Sequence, residues 1–416
     1  MEYRRRIVEH ELLARIERGG AVVLEGPKAS GKTATARQVC ASEVLLDVDP
    51  GARATAAIDP SLLLDGNQPR LIDEWQLEPA IWNHVRRAID DARGNARFVL
   101  TGSSVPVDDD VRHTGAGRFS RLRMRTMSLS EIDASSKEIS LGALLDGDPP
   151  RASKADLGIG DLVDLACIGG WPGWFDASRT DAMARAIDYL EQVRRTDIQR
   201  VDGVDRDPDR VGRMLVALAR NVATRAPLRT LARDAGDADG SLDEKTARDY
   251  VRALERLMIV EPQPSWAPHL RSRARVRSSD TWHLADPSLA IAALRATPDS
   301  LLRDLNAFGF IFESLVVRDL RIYAQALDGR VVQYRDNTGL EVDAIVEFGD
   351  GRWAAFEVKL GVGQVDDAAA GLLKFAERID VERSGPPAAL VVIVGTGYGY
   401  RRPDGVSVVP IGSLTA

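Results

Sequence analysis

The chain has 416 residues, 44% hydrophobic and 28% charged, with a formal net charge of −7. At roughly 100–200 residues per domain this length implies several domains of ordinary globular composition. No run reaches the ~20 apolar residues of a membrane span, no global basic field points to nucleic acid, and two distant cysteines, Cys40 and Cys167, argue against a disulfide framework or a zinc site.

The opening stretch, "MEYRRRIVEHELLARIERGG", is charged throughout and lacks the apolar core of a secretory signal. It reads as an amphipathic helix leading into a strand, and a cytoplasmic location with no membrane partner is expected. From about residue 20 to 130, "AVVLEG", "EVLLDVD", "RLIDE" and "RFVLTGSS" read as strands. "GKTATARQVCAS" and "EPAIWNHVRRAIDDAR" read as helices between them, an alternation that implies a parallel sheet covered by helices. Gly26-Pro27-Lys28-Ala29-Ser30-Gly31-Lys32-Thr33 fits G-x-x-x-x-G-K-[ST] between an apolar strand and an Ala-rich helix, the context that motif requires. Its backbone N–H groups would cradle the phosphates of ATP from Gly26 to Ala34, aided by the helix N-terminus. Lys32 would reach the β- and γ-phosphates, and the Thr33 hydroxyl would hold Mg2+. In "RLIDEWQ", Asp73 would hold the same ion, mainly through water, and Glu74 would polarise the attacking water. Ser103, at the end of "RFVLTGSS" with Thr101, stands where a γ-phosphate sensor belongs. Among Arg118, Arg121, Arg123 and Arg125 of "GAGRFSRLRMR", Arg118 lies in a Gly-flanked turn and is the candidate for an arginine finger acting in trans within a ring or dimer.

"DGDPPRASKADLGIG" reads as a linker. "DLVDLACIGGWPGWFDAS" and "RTDAMARAIDYLEQVRRTDIQRV" follow as a helical lid or connector. After "DRDPDR" come three helices, the last in "SLDEKTARDYVRALERLMIVEP". A capping box of Ser241 and Glu244 is expected at its start, with Ala247, Tyr250, Val251, Leu254, Leu257 and Met258 on one face. The extended segment "RSRARVRSS" then places Arg271, Arg273, Arg275 and Arg277 on one side of a strand. The order suits a winged helix-turn-helix whose basic ribbon meets DNA or RNA phosphates. A solvated hairpin or a protein-binding winged helix explains the same pattern. Mixed charge on the helix placed for recognition disfavours a sequence-specific transcription factor.

The last unit runs helix, three strands, helix, two strands. In "LEVDAIVEF", strict alternation puts Glu341, Asp343 and Ile345 on one face and Val342, Ala344 and Val346 on the other. In "RWAAFEVKL", Glu357 and Lys359 share a face, and "GDGR" reads as the hairpin turn. Asp343, Glu357 and Lys359 can therefore meet, following the D…E-x-K logic of restriction-enzyme-like nucleases. The carboxylates, with Glu313 from the preceding helix, would hold a second Mg2+ or Mn2+. Glu357 and Lys359 would act in catalysis. The bare pattern also occurs as a charged outer face of an inactive sheet.

Together "LEGPKASGKT", "LIDEWQ", "VLTGSS", "AGRF", "IGGWPGWF", "WHLADPSLA", "FGFIFESLVVRDL" and "LEVDAIVEF…AAFEVKLG" cover nearly the whole chain in order. The set resembles a bacterial and archaeal group of AAA-type P-loop ATPases whose C-terminal domain of unknown function has a restriction-endonuclease-like core. The resemblance implies an α/β multidomain chain. Its expected parts are a P-loop AAA-like ATPase domain (1–145), a helical lid or connector (146–206), a winged helix-turn-helix (207–297) and a restriction-endonuclease-like domain (298–416). Two departures from the family stand out: the short apolar run before Asp73 and the Arg-rich stretch "GRFSRLRMRTMSLSE". The function expected is an ATPase that couples nucleotide state to a nucleic-acid-directed, nuclease-like module. The alternative is an ATP-controlled scaffold with an inert C-terminal domain.

Overall fold

The computed structural model describes residues 3–93, 96–102, 114–237, 240–268 and 279–416. The first sheet comprises β1 (Gly20–Glu25), β2 (Ser42–Leu45), β3 (Arg70–Asp73), β4 (Arg97–Gly102) and β5 (Phe119–Arg123). Its order is β2-β3-β4-β1-β5, and its four neighbouring pairs are parallel. Parallel strands need crossovers, and helices Lys32–Arg37, Pro50–Ile58 and Ile81–Asp91 supply them. The second of these was not anticipated. Asp49 caps it by accepting from Gly51 N and Ala52 N, and Pro50 opens it. Helix Val8–Glu17 buries Leu12 and Ile16 against β1 and β4.

The middle region is helical. Ile159–Ile168 and Arg179–Gln192 are followed by a π-helical turn over Val193–Asp197. Pro208–Arg220, Leu228–Asp234 and Glu244–Arg256 come next. All six apolar positions read on one face of the last helix are buried. Its cap is Asp243, which accepts from Thr246 N at 3.0 Å, rather than Ser241. The helix begins at Glu244, so the carboxylate one residue ahead of it is the one placed to reach the free amides. Antiparallel bridges Val260–Leu284 and Gln263–Thr281 bring two extended segments together. Arg271, Arg273, Arg275 and Arg277, between those segments, lie outside the described residues.

Short β6 (Ile139–Ser140) precedes a mixed sheet of β7 (Gly329–Arg335), β8 (Glu341–Phe348), β9 (Trp353–Lys359), β10 (Ala389–Val394), β11 (Tyr400–Arg401) and β12 (Ser407–Pro410). The order is β11-β12-β10-β9-β8-β7, with β9, β10 and β12 parallel and the others antiparallel. Helices Leu305–Ala326 and Val365–Arg378 pack against it, and β13 (Leu414–Thr415) returns to pair with β6. Phe308, Phe312, Leu315 and Tyr323 of the first helix are fully buried, each worth about 1.5–3 kcal/mol of apolar transfer. One continuous core joins Met127 to Leu414 through the middle helices.

The strict alternation expected of β8 is broken. Val332 pairs with Ile345 but Tyr334 pairs with Val342, so two residues of β8, Asp343 and Ala344, oppose one of β7, Gln333. Val342 therefore packs with Ile345, away from Ala344 and Val346. Such a bulge re-aims the side chains at its centre, here those of Asp343 and Ala344.

Candidate functional site

The phosphate-loop sequence leaves the C-terminal end of β1 and turns into helix Lys32–Arg37. The turn uses left-handed backbone at Ala29 (φ 61°) and Gly31 (φ 96°). Gly26 is required by close approach, since a Cβ there would lie 2.2 Å from Met124 O. Lys32 is buried and curls back, Nζ donating to Gly26 O and Pro27 O at 2.9 Å each. Burial pushes its ammonium down to about 8, against the opposing pull of Glu74 and Asp73. The Thr33 hydroxyl donates to Asp73 Oδ1 at 2.8 Å, and Thr101 Oγ1 donates to the same oxygen. Glu74 follows in left-handed backbone (φ 52°), its carboxylate accepting from Gln76 Nε2. Burial raises the Glu74 carboxyl above its ordinary value, with Lys32 opposing. Lys32, Thr33, Asp73 and Glu74, predicted from separate motifs, thus meet at one end of the sheet because β1, β3 and β4 are neighbours and parallel. Thr101 serves as a partner of Asp73. Ser103 lies outside the described residues.

Three further elements close on the loop. Arg6 Nη1 donates to Ser30 O at 2.9 Å. Lys28 pairs with Asp197 at 2.5 Å, and Tyr189 OH donates to Lys28 O at 3.3 Å. Asp197 ends the π-helical turn, a form of bulge frequent at functional sites. Beside the loop lies a cavity of about 570 Å³ lined by Tyr3, Arg6, Gly31, Thr35, Pro172 and Phe175. Arg4 stacks over the Phe175 ring at 3.7 Å. Outside the loop itself, none of these residues was singled out from sequence. Tyr3, Arg4 and Arg6 lie in a stretch that reads only as a charged helix start, and Phe175 lies in "GGWPGWF" without a ligand motif.

The loop residues fit a bound nucleotide-phosphate chain. Among the described residues Ser30 Oγ is buried without a hydrogen-bond partner, and Lys32 donates to the Gly26 and Pro27 carbonyls. Arg118 sits at the other end of the sheet. Its carbonyl accepts from Ala21 N near the start of β1, and its guanidinium pairs with Asp90 at 2.8 Å. It is remote from the loop of its own chain, so a role on a phosphate requires a neighbouring copy. Arg121 pairs with Glu25, and Arg125 forks onto Glu261 at 2.6 and 3.0 Å with Arg123 at 3.7 Å.

In the C-terminal sheet, Lys359 Nζ donates to Glu357 Oε2 at 2.7 Å and to Asp343 Oδ2 at 3.4 Å, and Val358 N donates to Asp343 Oδ2 at 2.8 Å. Burial, then Asp343, pushes the Glu357 carboxyl up to about 8. Burial, then Asp343, also holds Glu313 well above the carboxylate range. For Lys359, burial works against the charge but Asp343 and Glu357 outweigh it and raise the ammonium further. The four expected residues therefore share one site. Yet among the described residues no group of three or more His, Cys, Asp or Glu side chains is arranged to hold a metal ion. Behind the site, Gln263 Nε2 donates to Asp343 O at 2.9 Å, and its Oε1 faces buried His283, which contacts Ser314 beside Glu313. No helix among the described residues is long and apolar enough to cross a membrane.

Residues 18–133 match the model of an AAA domain, which implies ATP and Mg2+ as the ligands of this loop. Residues 159–300 and 308–414 each match a domain of unknown function (DUF8612 and DUF4143). The uncharacterized proteins Rv2008c of Mycobacterium tuberculosis and Mb2031c of Mycobacterium bovis are each 26% identical over 363 residues, covering 85% of this chain and 74% of theirs. The solved Walker-type ATPase PABY2304 of Pyrococcus abyssi matches 68% of this chain and 94% of its own at 13% identity, with a TM-score of 0.42, a likeness that carries no functional inference. The chain carries an N-terminal AAA domain of the P-loop ATPase kind, followed by two domains of unknown function.

Proposed function

We propose that the protein is a Mg2+-dependent ATPase whose nucleotide state governs a nucleic-acid-directed, nuclease-like C-terminal module. The observation that carries the ATPase reading is the meeting of Lys32, Thr33 and Asp73, with Thr33 Oγ1 2.8 Å from Asp73 Oδ1. Thr33 and Asp73 would hold Mg2+, which when bound offsets the charge of the phosphates. Lys32 would leave the Gly26 and Pro27 carbonyls for the phosphate chain. Glu74, two residues before its partner Gln76, would orient the attacking water. The cavity flanked by Tyr3 and Phe175 has the apolar walls and convergent polar groups of a nucleobase site. A test is ATP turnover by the full chain with Lys32→Ala. Undiminished turnover would sink the assignment.

The C-terminal order of helix, three strands, helix and strand, with Asp343, Glu357 and Lys359 in contact, supports a restriction-endonuclease-like reading. The three middle helices and the paired segments after them support a winged helix. A second reading has its own observation. Lys359 already bridges Glu357 and Asp343, as in a sheet that uses its lysine in place of a metal. On that reading ATP controls protein contacts through an inert domain. Incubating the protein with plasmid, single-stranded DNA and RNA in Mg2+ or Mn2+ separates the two. Cleavage abolished by Asp343→Asn supports the nuclease, and no cleavage of any substrate supports the scaffold.

A further inference from the structure

The segment after β5, residues 125–131, has a use that its sequence hides. Its backbone and side chains are gripped from two sides. On the nucleotide side, the buried Arg6 guanidinium makes a separate bond with each nitrogen: Nη1 to Ser30 O of the phosphate loop, Nη2 to Arg125 O at 2.8 Å, and Nε to Glu131 Oε1 at 3.0 Å. Glu131 also accepts from Ile7 N and Ser128 N at 2.8 Å each. On the far side, Arg125 forks onto Glu261 and donates to Gln325 Oε1 at 2.6 Å. Glu261 also faces Arg321 at 3.5 Å, and Leu129 N donates to Asp319 Oδ2 at 3.0 Å. Arg321, Gln325 and Asp319 all belong to helix Leu305–Ala326, and Glu313 lies eight residues before Arg321 on that helix, about 12 Å along its axis.

We infer that Arg6 is a positioning residue that ties the shape of the phosphate loop to the long C-terminal helix, by way of Arg125 and Glu261. The geometry supplies the reason. Ser30 O and Arg125 O are held by two nitrogens of one rigid, planar group, so a shift of the loop on binding phosphate moves the segment 125–131 with it. That segment is the one docked on the helix. A lysine keeps the charge but cannot make three divergent bonds from a fixed plane. The inference rests on the phosphate loop binding nucleotide.

The test is amide hydrogen exchange of helix Leu305–Ala326 in the full chain, with and without saturating ADP and Mg2+, paired with calorimetry on the same samples. In wild type, nucleotide should slow exchange across the C-terminal half of the helix by about threefold or more, since local opening reports how firmly an element is docked. Arg6→Lys, compared at an ADP concentration that calorimetry shows to saturate the variant, should lose that slowing. Arg125→Met keeps the carbonyl that Arg6 uses and leaves Glu261 to Arg321 and Arg123, so it should bind ADP as wild type does and also lose the slowing. Wild type that binds ADP without any change in the helix overturns the inference, whatever the variants do. So does a wild-type response in both variants. Absent ADP binding, or binding undiminished by Lys32→Ala, refutes the nucleotide reading and the inference with it, and the calorimetry tells that failure from a broken relay.

Discussion

Replacing Glu261 with Gln should be among the most damaging single changes outside the nucleotide loop. The Glu261 carboxylate takes a two-pronged bond from Arg125 at 2.6 and 3.0 Å and lies 3.5 Å from Arg321 and 3.7 Å from Arg123. Burial works against its charge, but Arg125, Arg321 and Arg123 overcome this and hold the carboxyl well below the ordinary range. The amide leaves three largely buried guanidiniums without their anion, and breaking a buried charge network in this way costs roughly 3–5 kcal/mol. Asp133→Asn is the control. Asp133 pairs with Arg4 and Lys137 at the surface, 67% exposed, where a pair is worth about 0–1 kcal/mol. Urea unfolding of both variants, followed by tryptophan fluorescence and by exchange of helix Leu305–Ala326, compares the two. The sign with pH also follows. A depressed folded-state pKa gives stability that is present above the unfolded carboxylate value of about 4.3 and lost as pH falls through the folded value. Wild type should lose stability on acidification below about pH 4 more steeply than Glu261→Gln. Equal midpoint shifts for Glu261→Gln and Asp133→Asn, or identical acid limbs for wild type and Glu261→Gln, would refute the stabilising role of the Glu261 charge cluster.

Other expectations concern the nucleotide. Lys32 is pushed down to about 8 by burial, so it is partly neutral at pH 8–9 without phosphate, and nucleotide should draw a proton onto it. Calorimetry in buffers of different ionisation enthalpy should show uptake that grows from near zero at pH 6.5 toward one proton by about pH 9, and a flat profile would contradict it. Thr33→Ala removes the hydroxyl now 2.8 Å from Asp73. It should raise the Mg2+ concentration needed for turnover while leaving metal-free ADP binding nearly unchanged. Phe175→Ala removes the ring under Arg4 and one wall of the cavity. It should weaken ATP by about 1–2 kcal/mol while sparing tripolyphosphate, and equal losses for both ligands would place the base elsewhere.

Much of this was readable in the chain. The G-x-x-x-x-G-K-T run was legible because glycine suits both the left-handed backbone at Gly31 and the close approach at Gly26. Strands β1 to β4 announced themselves by short apolar runs between helices. The face of Glu244–Arg256 followed from its 3.6-residue period. Capping proved less legible. Asp243 and Ser241 are both good caps, and which one serves depends on the residue at which the helix starts. The bulge in β8 was invisible because alternation is a default that only the pairing with β7 breaks. Arg121, Arg123 and Arg125 looked alike in sequence because a guanidinium carries no sign of its partner.

By itself the sequence determined the local devices: the phosphate loop, the amphipathic helix faces, and the carboxylate and lysine of neighbouring hairpin strands. Those depend on backbone freedom and on periodicities of 3.6 and 2, which act over a few residues. The tertiary structure alone decided what those devices face. Arg6 meets Ser30, Asp197 meets Lys28 across 169 residues, and Glu261 gathers arginines from two distant segments. Ion pairs and hydrogen bonds are set by distance in space, and a chain discloses that distance only once its sheets and helices have packed.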